Sequence, residues 1–212
     1  TVRVMDVRIG KKGVAAREVR LGLGAWALVR GELDLQSLEL RGLELELERD
    51  VRGRLYGAGF RMDPERNRLF PFLARFDHVR IRDGTLAWSD RSRSEPVRLA
   101  LADVTVDIER ISRGHLVALT AQTAGGRVAV HGAIERFAGG PEKWALNVQA
   151  RAVGVSPGRF LPYLPPGTPD AVPGPLSLWA EVVGGWPRST QIRGHLRLRE
   201  GPLRWRQGLR SP

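Results

Sequence analysis

The chain has 212 residues, no cysteine, and 34 Lys plus Arg against 23 Asp plus Glu, a formal charge of +11. The missing cysteine excludes disulfides, thiolate metal sites and a cysteine nucleophile, and an apolar content of 42% excludes a disordered chain. The length allows one extended domain or two small ones at about 150 residues per domain, and the positive balance makes anionic membrane and nucleic acid partners to weigh.

The N-terminal residues already alternate as a strand does, with Val2, Val4, Val7 and Ile9 apolar. No apolar run reaches the roughly 18 residues of a membrane-spanning helix. The chain opens on Thr1 rather than Met and closes at Ser211-Pro212 straight after another strand-like run, so both ends read as cut from a longer protein, with any anchor or export signal upstream.

Period-two alternation then runs almost throughout. Leu33 and Leu35, Leu38 and Leu40, and Leu43, Leu45 and Leu47 alternate with Asp34, Gln36, Glu39, Arg41, Glu44 and Glu46. Each segment places leucine on one face and charge on the other. Spacings of three between segments predict a turn or bulge at Ser37 and at Arg41–Gly42 if all the leucines share one side. Residues 62–75 form a weak break, in which Phe70-Pro71-Phe72-Leu73 suggests a short helix plugging an edge. Phe76, Val79 and Ile81 lead to Asp83-Gly84, then to Leu86 and Trp88. An Asp-Gly pair between alternating runs predicts a hairpin. Val97, Leu99 and Leu101 precede a phase break at Ala102–Asp103, followed by Val104, Val106 and Ile108. Further strands are expected from Leu116 to Thr123, across a Gly125–Gly126 turn to Val128 and Val130, and from Trp144 to Ala150. Others follow over Leu176–Val182 and Ile192–Leu198, making about 12 to 15 in all. Between them, Ser156 to Leu164 carries a capping serine and an early proline, which predicts one or two helical turns. The prolines from Pro162 to Pro175 then break the pattern over 156–175.

An echo links Ile81-Arg-Asp-Gly-Thr-Leu-Ala-Trp88 with Leu198-Arg-Glu-Gly-Pro-Leu-Arg-Trp205. It points to a sheet that grows by repeated hairpins. The charged faces belong in water and the apolar faces need a cover. No long helix supplies one, so the sheet closes as a sandwich or barrel, or curls into a trough.

Residues suited to chemistry are dispersed. His78, His115, His131 and His195 form no metal-ligand spacing. The aspartates fall in strands and turns. Ser89 and Ser94 lack a nucleophile elbow, and Gly22-Leu23-Gly24 has no βα unit around it to make a dinucleotide loop. From Arg151 onward there are nine arginines against three acidic residues. Arg193, Arg197 and Arg199 fit a solvated strand face, contact with lipid headgroups, or a nucleic-acid platform. The six tryptophans sit near strand ends, which suits hairpin packing or rim anchoring at a lipid interface.

The segment Leu28-Val29-Arg30-Gly31-Glu32-Leu33 through Glu48-Arg49-Asp50, followed by Gly53-Arg54-Leu55, resembles the opening β unit of the AsmA-like family. So does the strand, Asp-Gly turn and strand of Val79–Asp90. Gly132-Ala133-Ile134 and Phe160-Leu161-Pro162-Tyr163-Leu164-Pro165 are similar to the YhdP-type subgroup. The resemblance spans roughly Ala25 to Trp205.

It implies a mostly β protein: an elongated, twisted antiparallel sheet curled into a hydrophobic groove (a β-taco), with one or two short helices. Residues 1–212 would be one continuous segment of a larger protein, with sub-units at 1–75 and 76–212 as a further option. The implied function is that of bridge-like lipid transfer proteins of Gram-negative bacteria, periplasmic and anchored in the inner membrane by an N-terminal helix outside this chain. They carry phospholipid to the outer membrane and support its integrity, with membrane-protein partners as a further option. The implied mechanism is passive sliding of acyl chains, with no catalytic residue, metal or cofactor, and no nucleic acid. Candidate lining residues are Leu33, Leu35, Leu38, Leu40, Leu43, Leu45, Leu47, Val79, Ile81, Val97, Leu99 and Leu101. Candidate headgroup contacts are Arg193, Arg197 and Arg199. The alternative is a non-catalytic β-rich scaffold or assembly module with a closed core.

Overall fold

A computed structural model describes residues 1–9, 14–32, 34–57, 60–62, 72–73, 75–92, 96–136, 144–156, 176–186, 189–198 and 201–209. The fold is mostly β, as expected, with 13 strands and one short helix assigned among the described residues. The chain divides into compact units Thr1–Arg110 and Ile111–Pro212.

The first unit holds β1 (Val2–Ile9), β2 (Val14–Leu23), α1 (Ala25–Val29), β3 (Leu35–Arg49), β4 (Leu55–Gly57), β5 (Phe60–Met62), β6 (His78–Asp90) and β7 (Val97–Ile111). Its strands lie in the order β1-β2-β3-β6-β7, with β4 and β5 appended to β3. The β3–β6 pair is parallel, Leu38 beside Val79 and Leu47 beside Trp88. This corrects a wholly antiparallel expectation. Parallel neighbours need a crossover, and the 28 residues between Arg49 and His78 provide one. The pairing also draws β6 into the first unit, which runs to Arg110.

Backbone hydrogen bonds secure both ends of this seam. The Asp77 amide donates to the Gln36 carbonyl at 2.9 Å, and the Arg91 amide to the Arg49 carbonyl at 2.8 Å. Beyond β3, the Asp50 carboxylate accepts the Arg52 and Arg54 amides at 2.9 and 2.8 Å, which forms the turn into β4.

The helix α1 follows β2 directly, where the sequence pattern had suggested no strand–helix unit. It spans five residues, and β2 and β3 on either side of it are antiparallel. A parallel dinucleotide-binding crossover is therefore absent here. Phe72 and Leu73 lie in a helical turn, in line with a short helix at that point. Phe70 and Pro71 are outside the described residues, as are the helix and most of the proline-rich break expected over 156–175.

The second unit runs in chain order: β8 (Gly114–Thr123), β9 (Gly126–Arg136), β10 (Trp144–Val155), β11 (Leu176–Trp186), β12 (Ser189–Leu198) and β13 (Gly201–Leu209). All its neighbours are antiparallel. Thr123 faces Gly126 across the Ala124–Gly125 turn, one residue before the turn read from the sequence. Gly132 stands mid-strand in β9, where an added Cβ would run into the Asn147 carbonyl of β10.

Candidate functional site

The decisive local feature of the first unit is a line of extra residues crossing the sheet. Gly42 of β3 and Asp83 of β6 both have left-handed backbones, with φ of +59° and +54°. The parallel register keeps the same offset on either side of them, from Arg41–Arg82 to Glu44–Thr85, which sets these two residues at the same level. Asp6 of β1 (φ +52°) occupies the same level opposite Arg17 of β2, and Arg17 in turn lies opposite Gly42. Asp103 of β7 (φ +49°) lies one step further on, where the β6–β7 register shifts on both sides of Gly84.

An extra residue in a strand offsets the two-residue side-chain period by one. Spacings of three across this line therefore return apolar residues to one face. Five rows result. Leu21, Leu38, Val79 and Ile108 form the first, and Val19, Leu40, Ile81 and Val106 the second. Beyond the line come Ala16, Leu43, Gly84 and Val104, then Val14, Leu45, Leu86 and Leu101. Leu47, Trp88 and Leu99 complete the set. Leu35 joins the same face through a second irregularity, since Gly22 pairs with Ser37 but Leu23 pairs with Leu35, leaving Gln36 extra.

The expected breaks at Ser37, Arg41–Gly42 and Ala102–Asp103 are thus in-strand irregularities. Asp83-Gly84 is a correction: it is no hairpin turn but the bulge of a continuous 13-residue strand. Its echo at Leu198–Trp205 spans two antiparallel strands instead, with Leu198 opposite Gly201.

Of the 12 candidate lining residues, Leu33 is outside the described residues. Val97, buried and paired with Asp90, stands two residues before Leu99 and so continues the same face by one further row. The other ten share the face assembled above. Sequence reasoning left out Val14, Val19, Leu21, Leu86, Trp88, Val104, Val106 and Ile108, although the same spacing of three marks β2.

Burial along the face is uneven. Leu38, Phe76 (1% exposed) and Val79 (2%) form a closed cluster, against which Val19, Leu21, Leu35, Leu40, Leu73 and Ile108 pack. The Phe72 and Phe76 rings meet edge-on at 5.4 Å. Leu43, Leu45, Leu47, Ile81, Leu86, Leu99 and Leu101 are half-buried, as are Val19, Leu21, Leu40 and Ile108, while Ala16 and Val104 in the third row are buried.

The opposite face is charged and cross-linked. Glu18, 6% exposed, pairs with Arg3 of β1 and accepts Arg20 Nε at 2.6 Å. Hydrogen bonding from Arg20, aided by both arginine charges and opposed by desolvation, holds its carboxyl below the ordinary value. Arg41 Nε donates to Glu39 at 2.9 Å. Asp107 accepts Arg80 Nε at 2.9 Å and a two-pronged contact from Arg82 at 3.0 and 3.2 Å, with His78 3.5 Å away. Desolvation would raise the Asp107 pKa, but the arginine contacts and His78 outweigh it and lower it. These pairs keep the face polar; those of Glu39 and Asp107, being partly exposed, each contribute little to stability.

Arg193 and Arg197 belong to β12 in the second unit, at register positions beside Glu181 and Ser177 of β11. Arg199 lies outside the described residues. Among the described residues no group of three His, Asp or Glu side chains is placed to hold a metal. His115 is buried, and Ser94 is outside the described residues. No described helix is long and apolar enough to cross a membrane.

Compared with family models, with curated proteins and with solved structures, the chain matches none.

Proposed function

We propose that this chain is a non-catalytic segment of a periplasmic, bridge-like protein of a Gram-negative bacterium, carrying phospholipid between inner and outer membranes along an apolar groove. In the full-length protein an N-terminal helix provides the inner-membrane anchor. The observation that carries the reading is the apolar face of β2, β3, β6 and β7, in register over five rows with most of its leucines half-buried. A closed scaffold core would bury Leu43, Leu45, Leu86 and Leu101. Their half-burial favours a surface that accepts acyl chains, each methylene leaving water for a gain of about 0.8 kcal/mol.

The mechanism needs no bond-making residue. Acyl chains lie against the leucine rows while headgroups stay in water. Passage is sliding between equivalent rows, so its rate follows the smoothness of the lining.

Photo-crosslinking residues placed at Leu45 and Leu99 in the full-length protein test this in cells. Phospholipid adducts at both sites are expected. Adducts at neither site, together with no phospholipid in extracts of the purified protein, would refute the transport reading.

A further inference from the structure

The second unit has two faces of different chemistry. Its antiparallel register places Val117, Val148, Val182 and Ile192 in one row and Ala121, Val128, Ala152 and Leu178 in another, all on one face. The intervening positions make the reverse face. There Arg127, Arg151, Arg193, Arg197, Arg204 and Arg206 hold positions against two acidic residues, Glu135 and Glu181. The first unit treats its arginines differently. Its polar face meets Arg3, Arg20, Arg41, Arg80 and Arg82 with Glu18, Glu39 and Asp107. On the reverse face of the second unit, Arg127 and Arg151 are exposed, and neither forms an ion pair among the described residues.

The same face also carries apolar side chains in the open. Leu116 is 45% exposed, Val153 42% and Val183 38%. Leu116 and Val183 end one row, joined through Ala133 and Asn147, while Val153 lies opposite Arg127 at the far side. Trp179 is the register partner of Arg151. Single-stranded nucleic acid is held by a succession of aromatic platforms, and this face has one tryptophan and no Phe or Tyr. The arginine positions extend from β9 to β13, about 19 Å at the usual strand spacing, and over several rows. That is a spread in two dimensions rather than a track. A bilayer interface accepts all of these groups together: its phosphates take guanidinium hydrogen bonds, an indole suits its boundary, and its outer methylenes take exposed aliphatic side chains.

We propose that the reverse face of the second unit is a docking surface for a bilayer containing anionic phospholipid. The arginines hold lipid phosphates, and Leu116, Val153 and Val183 enter the interface between them. The contact is with a membrane surface and not with a transported molecule, so it stands independently of lipid passage along the first unit.

Flotation of the whole chain with phosphatidylcholine vesicles, with and without phosphatidylglycerol, tests this. Phosphatidylglycerol is expected to raise binding at least about tenfold at about 0.1 M salt, and about 0.5 M salt should reverse most of that gain. Arg127→Glu combined with Arg151→Glu should weaken binding about tenfold or more, and Arg127→Lys combined with Arg151→Lys should retain it. Leu116→Ser combined with Val183→Ser should weaken it about threefold or more. Leu45→Glu, which alters the apolar face of the first unit, should float as wild type does. Equal binding to both vesicle types, no binding, or unchanged binding by the glutamate pair would overturn the proposal. So would loss of flotation in Leu45→Glu, which makes the first unit's leucines the point of contact. Binding of a thymidine oligonucleotide by a protein that leaves both vesicle types free would overturn it too, and assign the face to nucleic acid.

Discussion

The crossing line at Asp6, Gly42, Asp83 and Asp103 can be attacked at a single atom group. At Asp83 the backbone has φ of +54°, which costs an ordinary L-residue roughly 1–2 kcal/mol and a β-branched one the upper part of that range. Aspartate lowers the cost through local hydrogen bonding of its short side chain. Asp83→Val should therefore lose about 1.5–2 kcal/mol, Asp83→Asn almost nothing. Asp83→Gly should fall near zero, because relief of the strain is offset by the about 0.5–1 kcal/mol of extra chain entropy lost by glycine. Deleting Asp83 is harsher. It returns β6 to strict alternation and sends Leu86 and Trp88 toward the charged face. Full burial of such side chains contributes about 1.5–3 kcal/mol each, so half-burial of two implies a loss of about 1.5–3 kcal/mol on top of the lost pairing. Urea unfolding followed by far-ultraviolet circular dichroism reads all four variants. With a slope of about 2 kcal/mol per molar, the valine variant should shift its midpoint by almost 1 M. A valine variant within about 0.2 M of wild type, or a deletion milder than the valine substitution, would refute this account of the crossing line.

Leu45→Glu and Leu99→Glu place charge on the half-buried rows. Each should abolish phospholipid co-purification while shifting the unfolding midpoint by less than about 1 M, as lipid analysis and urea titration of one preparation will show. Gly132→Ala forces a Cβ against the Asn147 carbonyl and should cost about 1–3 kcal/mol, measured by the same unfolding assay. Acidification should weaken the fold through Glu18 and Asp107, whose carboxyl pKa values both lie below their ordinary 4.5 and 3.8. A lowered folded-state pKa gives stability that is complete above the unfolded-state value and disappears as pH falls through the folded one. The urea midpoint should therefore fall between about pH 4.5 and pH 2, and the double variant Glu18→Gln, Asp107→Asn should show a shallower fall.

Much of the first unit was legible because alternation is a local property. The leucines of β3 and the valines and leucines of β7 declared their shared face through spacing alone, and even the phase breaks at Ser37, Arg41–Gly42 and Ala102–Asp103 were in the pattern. Whether a break is a turn or a bulge was not legible. Asp83-Gly84 and Glu200-Gly201 occur in nearly the same eight-residue pattern, yet the first continues a strand and the second begins one. The difference is set by neighbours far along the chain: Gly42 presents a matching left-handed residue beside Asp83, so the strand runs on with its partner. The parallel seam was hidden for the same reason. Periodicity reports which face a residue occupies and carries no information on which strand lies beside it or in which direction. The short helix α1 escaped because five residues give too little of a 3.6-residue period to stand out.

The pattern of burial follows from the same geometry and bears on function. Phe76 and Leu73 cover only the rows nearest Leu38 and Val79, because Phe76 and Asp77 enter β6 at that end and the backbone there is bonded to Gln36. Beyond Gly42 and Gly84, Ala16 and Val104 are buried while the leucines stay half-exposed, as Leu21 and Leu40 also are. A sheet that used its offset residues merely to bend could have carried polar side chains on those rows. Instead Leu43, Leu45, Leu47, Leu86, Leu99 and Leu101 continue the apolar face past the offset, in register from strand to strand. Keeping that face continuous requires a left-handed residue in three separate strands, each carrying its own backbone cost. A surface maintained at that cost and left half-open supports the proposal of an apolar occupant, and its leucine rows offer the aliphatic contact that acyl chains take.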